Sequence, residues 1–419
     1  MSGTLIVGAS QAGVQLAASL RELGDTAPIV LVGEESQLPY QRPPLSKTYL
    51  KGGVSADSLA LRSPQWYLER GVDVVPGERI TDVERGPEGG VAVAAFGRSF
   101  PFDRLALTTG ATPRRIALEG SDALGVHYLR DTSDGDRIAA DVAGASSVVV
   151  IGGGFIGLEV AAGLRAAGKL VTVLEAAPRL VGRVVAEQTS AFYLDAHRAW
   201  GITVVLDAAV AEIVVAGGRA VGVGLADGSV VPADVVLIGV GVIPRTDLAE
   251  RMGLEVENGI VVDAAARTSD GVTVAAGDCT IMPTPYHRGS LPTVRLESVN
   301  NAVEQAKVAA ATLLGIEAHY SVVPWFWSDQ ADIKLQIAGL STGYDEVVVR
   351  GRASTGSFSV LYYRLGLLIA ADSVNAPLDH VAVKNALKQH RTIDPARAAD
   401  TATPLRDLVT ELAPMAGAS

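Results

Sequence analysis

The chain has a single cysteine, Cys279, among 419 residues. One thiol cannot form an intramolecular disulfide, nor can it supply the redox-active dithiol through which some oxidoreductases pass electrons. Cys279 itself reads as a small buried packing residue rather than a catalytic thiol. Positive charge is also short. The 35 Lys and Arg against 46 Asp and Glu leave a net charge of -11, which disfavours general binding to nucleic acid or an anionic membrane and leaves room only for a local basic face. No charged side chain precedes Arg21, so the cationic start of a secretory signal is missing. A membrane-length apolar run is missing too, because residues 142–158 are uncharged but short and crowded with Gly and Ser. The expectation is a cytoplasmic protein without a targeting segment.

Apolar residues and glycine are plentiful, at 48% hydrophobic with 45 glycines, so a large core can be buried. A chain of this length exceeds what one core usually supports, and two or three domains are expected. The stretch TLIVGASQAGVQLAASL, residues 4–20, reads as a strand, a glycine turn and a helix. With the apolar run at 29–32 and a helical face of Leu16, Leu20 and Leu23, it makes a βαβ unit. The pattern returns in VVVIGGGFIGLEVAAGL, residues 148–164, with LVTVLE at 170–175 after a helix carrying Leu158, Ala162 and Leu164. Two Rossmann-like units in tandem follow. Beyond them, ADVVLIGVGVIPR (233–245) and GVTVAAGDC (271–279) read as buried strands ending in tight glycine turns. From about residue 320 the texture changes: PWFWSDQ (324–330), a hairpin over 357–374 and a helix from about Pro377 to His390 suggest an α+β domain.

In the first turn Gly8 and Gly13 fit the outer glycines of G-x-G-x-x-G, and Ser10 takes the middle place. Glu34, with Glu35 as fallback, is placed after the next strand to accept from a ribose hydroxyl. The alternative is a glycine turn that serves only helix–strand packing. The second turn is complete, with Gly152, Gly154 and Gly157, and Glu175 ends the following strand. Such an acid accepts from a 2'-hydroxyl and repels a 2'-phosphate, favouring NADH over NADPH; Arg179 and Arg183 just beyond it argue the other way, unless they are solvated surface charge. Two dinucleotide turns in one chain suggest two dinucleotides, FAD held permanently and NADH passing through.

The motifs PYQRPPLSKTYL (39–50), TTGATPR (108–114), VIGGGFIGLEVA (150–161), GVGVIP (239–244), AAGDC (275–279) and PWFWSDQ (324–330) occur in that order. Together, over essentially the whole chain, they resemble the NADH-dependent ferredoxin reductases of the putidaredoxin reductase type, within the FAD-dependent pyridine nucleotide-disulfide oxidoreductases. The resemblance implies an α/β fold with two Rossmann-like, glutathione-reductase-like domains plus a C-terminal α+β domain. The FAD domain would be discontinuous (1–113 and 246–322), the NADH domain would span 114–245 and the C-terminal domain 323–419. Flavin contacts carry over to Gly8, Ala12, Gly13, Glu34, Arg42, Lys47, Thr109, Gly110, Arg130, Asp278 and Trp327, with Ile80 and Val299 as backbone contacts. For the nicotinamide nucleotide the matching positions are Gly152, Gly154, Ile156, Gly157, Glu159, Glu175, Arg183 and Gly241.

Physical roles stand beside these positions. Asp278 suits ribityl hydroxyls or, more plainly, a helix N-cap. Lys47 would be a fixed cation near the flavin ring, favouring its electron-rich form. Glu159 could pair with Lys47 and help place the nicotinamide; by residue type alone it reads as an acid stabilised by a helix N-terminus. The implied activity is hydride transfer from NADH to FAD and single-electron delivery to a 2Fe-2S ferredoxin serving a monooxygenase or ring-hydroxylating dioxygenase. Rivals are reduction of rubredoxin, monodehydroascorbate or a quinone, and a flavin-bound partner protein whose redox state controls association. Because such ferredoxins are usually acidic, docking requires a local basic face. HVAVKNALKQHR (380–391) offers one in Lys384, Lys388 and Arg391, with His380 nearby and Val381 and Leu387 expected toward the core; a solvated surface helix is the plainer alternative.

Overall fold

The computed structural model describes residues 2–50, 52–86, 89–285 and 292–412; the end of the expected third domain, 413–419, lies outside them. Thr4–Val7 is the middle strand of a five-stranded parallel sheet, flanked by Ile29–Val32 and Arg104–Leu107, with Val72–Val75 and Val274–Ala275 at the edges. These strands are apolar end to end because both faces are covered. Ile6, Leu31 and Ala106 pack with Leu16 under the helices Gln11–Glu22 and Val299–Leu313, whose residues Ala12, Ala17, Ala302, Ala306 and Ala309 are small enough for close approach. Leu5, Val7, Leu105 and Leu107 point the other way, onto Val83, Ala92, Phe100 and Phe102 of an antiparallel three-stranded sheet. Leu16 and Leu20 are buried as expected, whereas Leu23 lies one residue past the helix and is exposed.

Ser147–Ile151 plays the same central part in a second parallel sheet, between Leu170–Leu174 and Val235–Ile238, with Thr203–Val205 and Val126–His127 outside them. A two-stranded antiparallel ribbon joins the units: Ala111–Pro113 leads out of the first and Val242–Pro244 leads back. The chain therefore crosses between the units twice at one place.

The third element is an antiparallel sheet in the order Trp325–Gln330, Ile333–Gly339, Leu367–Val374, Ser357–Arg364, Glu346–Arg352. Strand alternation gives it two apolar faces. Phe358, Val360 and Tyr362 share a core with Leu158, Leu164 and Tyr193 of the second unit, so this sheet and that unit bury one continuous surface. Leu361, Tyr363 and Leu368 pack under the helix Pro377–Lys388. That helix buries Ala382, Val383, Ala386 and Leu387, so Leu387 faces the core as expected but Val381 does not and is 52% exposed. One apolar stripe along a 3.6-residue period holds 383 and 387, and 381 falls outside it.

Candidate active site

Each sheet carries its glycine loop at the C-terminal end of its middle strand. Gly8 has φ +118, and a Cβ there would stand 2.1 Å from the Thr108 carbonyl oxygen; a Cβ on Gly13 would stand 2.1 Å from that of Gly8. Side chains are excluded at both places by this protein's own backbone. Ser10 sits in extended backbone, φ -135, as the N-cap of Gln11–Glu22, which explains why a non-glycine is tolerated there. Beside this loop lies an open cleft. Gly8, Ser10, Glu34, Glu35, Ile80, Thr109, Gly110, Arg42 and Arg130 line it.

The walls of the cleft are charged. Arg42 ion-pairs with Glu35 and donates to the Arg130 carbonyl at 2.8 Å, while Glu34 pairs with Arg245. The Tyr40 hydroxyl donates to Glu35 and accepts from the Thr132 amide at 3.2 Å. Arg130 lies 3.8 Å from the Asp278 carboxylate and close beside Gly110, where a Cβ would be 3.2 Å from its guanidinium. Burial and then the neighbouring Arg42 push Arg130 below the usual arginine range, Asp278 opposing and Arg245 adding to the push. Asp278 is raised by its own burial, with Arg130 and Arg42 opposing. Ala12 faces the turn before it, 3.2 Å from where a Gly277 Cβ would be, and Val299 opens the helix capped by Ser298.

In the second loop Gly152 has φ +111 and no room for a Cβ, which would lie 2.4 Å from the Gly239 oxygen; a Cβ on Gly157 would lie 2.3 Å from that of Gly152. Gly154 differs. It caps the helix Phe155–Ala166 at φ -81 and a Cβ there would meet nothing within 4 Å, so packing does not demand the glycine. What it leaves is open space before a helix N-terminus, where backbone N–H groups favour an anion. Glu175 accepts from the Gly153 amide at 2.6 Å and from the Ala177 amide at 2.8 Å. Ile156 is exposed on the first turn of the helix, and the Arg183 guanidinium lies 3.7 Å from where a Gly241 Cβ would be. Arg179, by contrast, donates to the carbonyls of Val185 and Gly182, both at 2.7 Å.

The two units meet at a charged pair. Lys47 closes the short turn Pro43–Ser46 and places its Nζ 3.3 Å from Glu159 Oε1, on the second loop's helix, and 3.9 Å from Asp329. Glu159 is buried, and hydroxyls hold both of its oxygens: Ser46 donates at 2.5 Å and Ser328 at 2.7 Å. The third sheet supplies Ser328 and, beside it, Trp327, whose ring lies 5.3 Å from that of Trp325. Ser46 and Ser328 lie inside PYQRPPLSKTYL and PWFWSDQ, where no sequence feature marks either serine as a carboxylate ligand. His197, which ends the same hydrogen-bonded group through Gln330 at 2.8 Å, carried no sequence signal.

The C-terminal helix ends at Lys388 and the chain turns at His390, φ +55, so Arg391 lies beyond the helix and not on the helical side expected for it: Lys388 is exposed, Lys384 is half-buried with its Nζ 4.6 Å over the Trp325 ring, and Arg391 faces Glu411 at 3.7 Å. His380 is buried, and burial followed by Lys384 lowers its imidazole to about 4, so it adds no charge near neutral pH.

Residues 3–306 match the family of pyridine nucleotide-disulphide oxidoreductases, and residues 325–409 match the reductase C-terminal family. The chain belongs to the pyridine nucleotide-disulphide oxidoreductases. It is 43% identical to the rhodocoxin reductase of Rhodococcus erythropolis, over 95% of this chain and 92% of that one. The crystal structure of the ferredoxin reductase for the CYP199A2 system from Rhodopseudomonas palustris is 39% identical, covers 98% of this chain and 100% of its own, and gives a TM-score of 0.93. The covalent putidaredoxin reductase–putidaredoxin complex gives 0.92 at 37% identity, over 97% of both chains.

The cofactors of such an oxidoreductase are FAD and NAD(H), and the residues present fit both. An anion in the first cleft relieves the repulsion among Arg130, Arg42 and Arg245, and the buried Arg42 Nε has no hydrogen-bond partner among the described residues. The space before Gly154 fits a second pyrophosphate. Among the described residues no group of side chains could hold a metal ion, and no helix is long and apolar enough to cross a membrane.

Proposed function

We propose that this oxidoreductase is a cytoplasmic NADH-dependent ferredoxin reductase, whose acceptor is a 2Fe-2S ferredoxin serving a monooxygenase or a ring-hydroxylating dioxygenase. The observation that carries the reading is the Lys47–Glu159 pair, which ties the first unit to the glycine-loop helix of the second beside the Trp327 strand. Bound FAD supplies a hydride acceptor for NADH and the conversion of an electron pair into single electrons. The chain's own residues bind and orient. Gly8, Gly13, Arg42, Thr109, Gly110, Arg130 and Asp278 hold the flavin nucleotide, and Gly152, Gly154, Gly157, Glu175, Arg183 and Gly241 hold the nicotinamide nucleotide. Lys47 keeps a cation where negative charge develops, and Glu159 orients both Lys47 and the nicotinamide. Trp327, on the first strand of the third sheet, is the flavin contact that this sheet supplies. Lys384 and Lys388, with Arg391, form the docking face for an acidic ferredoxin.

The test is steady-state reduction of a panel of 2Fe-2S ferredoxins and rubredoxins by the purified flavoprotein with NADH and with NADPH, with ferricyanide as a small acceptor. The expected result is turnover with NADH and a 2Fe-2S ferredoxin. Faster turnover with rubredoxin reassigns the acceptor, and sluggish turnover with every acceptor points to a flavin-bound partner protein instead.

A further inference from the structure

The third sheet reaches into the centre through a chain of hydrogen bonds that ends on Glu159. We propose that Ser328, Gln330 and His197 form a positioning relay that fixes the Glu159 carboxylate for the reaction with the nicotinamide nucleotide. This rests on the reading of Lys47 and Glu159 given above.

The relay has a single polarity. His197 Nε2 lies 2.8 Å from Gln330 Oε1, Gln330 Nε2 lies 3.2 Å from Ser328 Oγ, and Ser328 Oγ lies 2.7 Å from Glu159 Oε1. A serine hydroxyl has one proton. Because the Gln330 amide nitrogen donates to Ser328, that proton points at Glu159. The opposite amide orientation would turn it toward Gln330 and leave Glu159 without it. Glu159 decides between the two: its carboxylate oxygen, 2.7 Å from Ser328 Oγ, can only accept, so Ser328 donates to it, accepts from the Gln330 amide nitrogen and leaves the amide oxygen for a proton on His197 Nε2. Burial lowers the His197 imidazole, which keeps the ring neutral with one proton to place, and Gln330 is its only hydrogen-bond partner among the described residues.

Glu159 needs such a hold. Its side chain is 7% exposed, and its cationic partner Lys47 is shared with Asp329. A lysine ammonium is a point charge on a flexible stem and does not fix the plane of a carboxylate. Two hydroxyls on different oxygens do, one from Ser46 and one from Ser328. His197 stands on the helix Glu187–Ala199 of the second unit, and Gln330 and Ser328 stand on the first strand of the third sheet. Glu159 is thereby oriented by the packing of that sheet against its own unit.

Stopped-flow reduction of the holoenzyme by NADH tests this with Ser328→Ala, Gln330→Ala and the double variant. Ser328→Ala and Gln330→Ala should each slow flavin reduction at saturating NADH by about tenfold, with the FAD content and the rate from photoreduced flavin to ferricyanide unchanged. The double variant should be no slower than Ser328→Ala, because Gln330 acts only through Ser328. Ser328→Thr, which keeps the hydroxyl, should restore most of the rate. Multiplying defects in the double variant, or Ser328→Ala at the wild-type rate, would overturn the relay. A wild-type flavin that NADH does not reduce would instead remove the functional reading on which it rests.

Discussion

Glu175 has both oxygens engaged, one by the Gly153 amide and one by the Ala177 amide. A carboxylate offers about four acceptor positions, so two remain for ribose hydroxyls while a 2'-phosphate would meet an unrelieved negative charge. Arg179, the nearer candidate to hold such a phosphate, is committed to two backbone carbonyls. Replacing Glu175 by Ala should therefore narrow the preference for NADH over NADPH by about tenfold in kcat/KM, and by Arg it should reverse it. Equal use of both nucleotides by the wild type would refute this. Lys47 acts at the flavin side. Lys47→Ala should retain FAD yet lower the rate of flavin reduction by about tenfold or more, as expected for a charge that matters when the flavin becomes electron-rich. The variant should also melt lower, because it leaves Glu159 buried with hydroxyls alone. An unchanged reduction rate would detach Lys47 from the chemistry.

The C-terminal helix carries its charges beside the Trp325–Trp327 pair, with Leu378 and Val381 exposed on its first turns. Reversing Lys384 and Lys388 to Glu should raise the apparent KM for an acidic ferredoxin and flatten its salt dependence, leaving ferricyanide reduction unchanged. An equal loss with both acceptors would place the defect in the fold or the flavin. This element also shows what sequence could and could not reveal. Its helical span was legible from periodicity and from Pro377, and Lys384 and Lys388 from their spacing. Val381 was misplaced, since two adjacent apolar positions do not say which one the sheet below will meet. The glycine loops were legible because backbone collisions at Gly8 and Gly152 admit no other residue. Ser46, Ser328 and His197 were not, because each gains its role only when a turn, a strand and a helix distant in sequence are packed together.

At the scale of the molecule, the third sheet and the second unit are joined by a buried polar seam as well as a shared core. Asp372 accepts from the Thr189 hydroxyl at 2.9 Å and from the Tyr362 hydroxyl, which in turn accepts from the Ala186 amide at 2.6 Å. Burial raises the Asp372 carboxyl to about 7, and the two hydroxyl donors hold it from rising further. In the unfolded chain an aspartate titrates near ~3.9. Between about 4 and about 7 the folded state therefore keeps a proton that the unfolded state releases, so this group makes stability fall as pH rises through that window, by up to ~1.4 kcal/mol per pH unit. Below the window both states are protonated, above it both are ionised, and the slope vanishes. Asn has the shape of the neutral acid and keeps an acceptor for both hydroxyls. Asp372→Asn should thus match the wild type near pH 4 and exceed it at pH 8 in denaturant unfolding, with a flatter profile between. A variant less stable than the wild type at pH 8 would mean that the ionised carboxylate strengthens the seam instead of straining it.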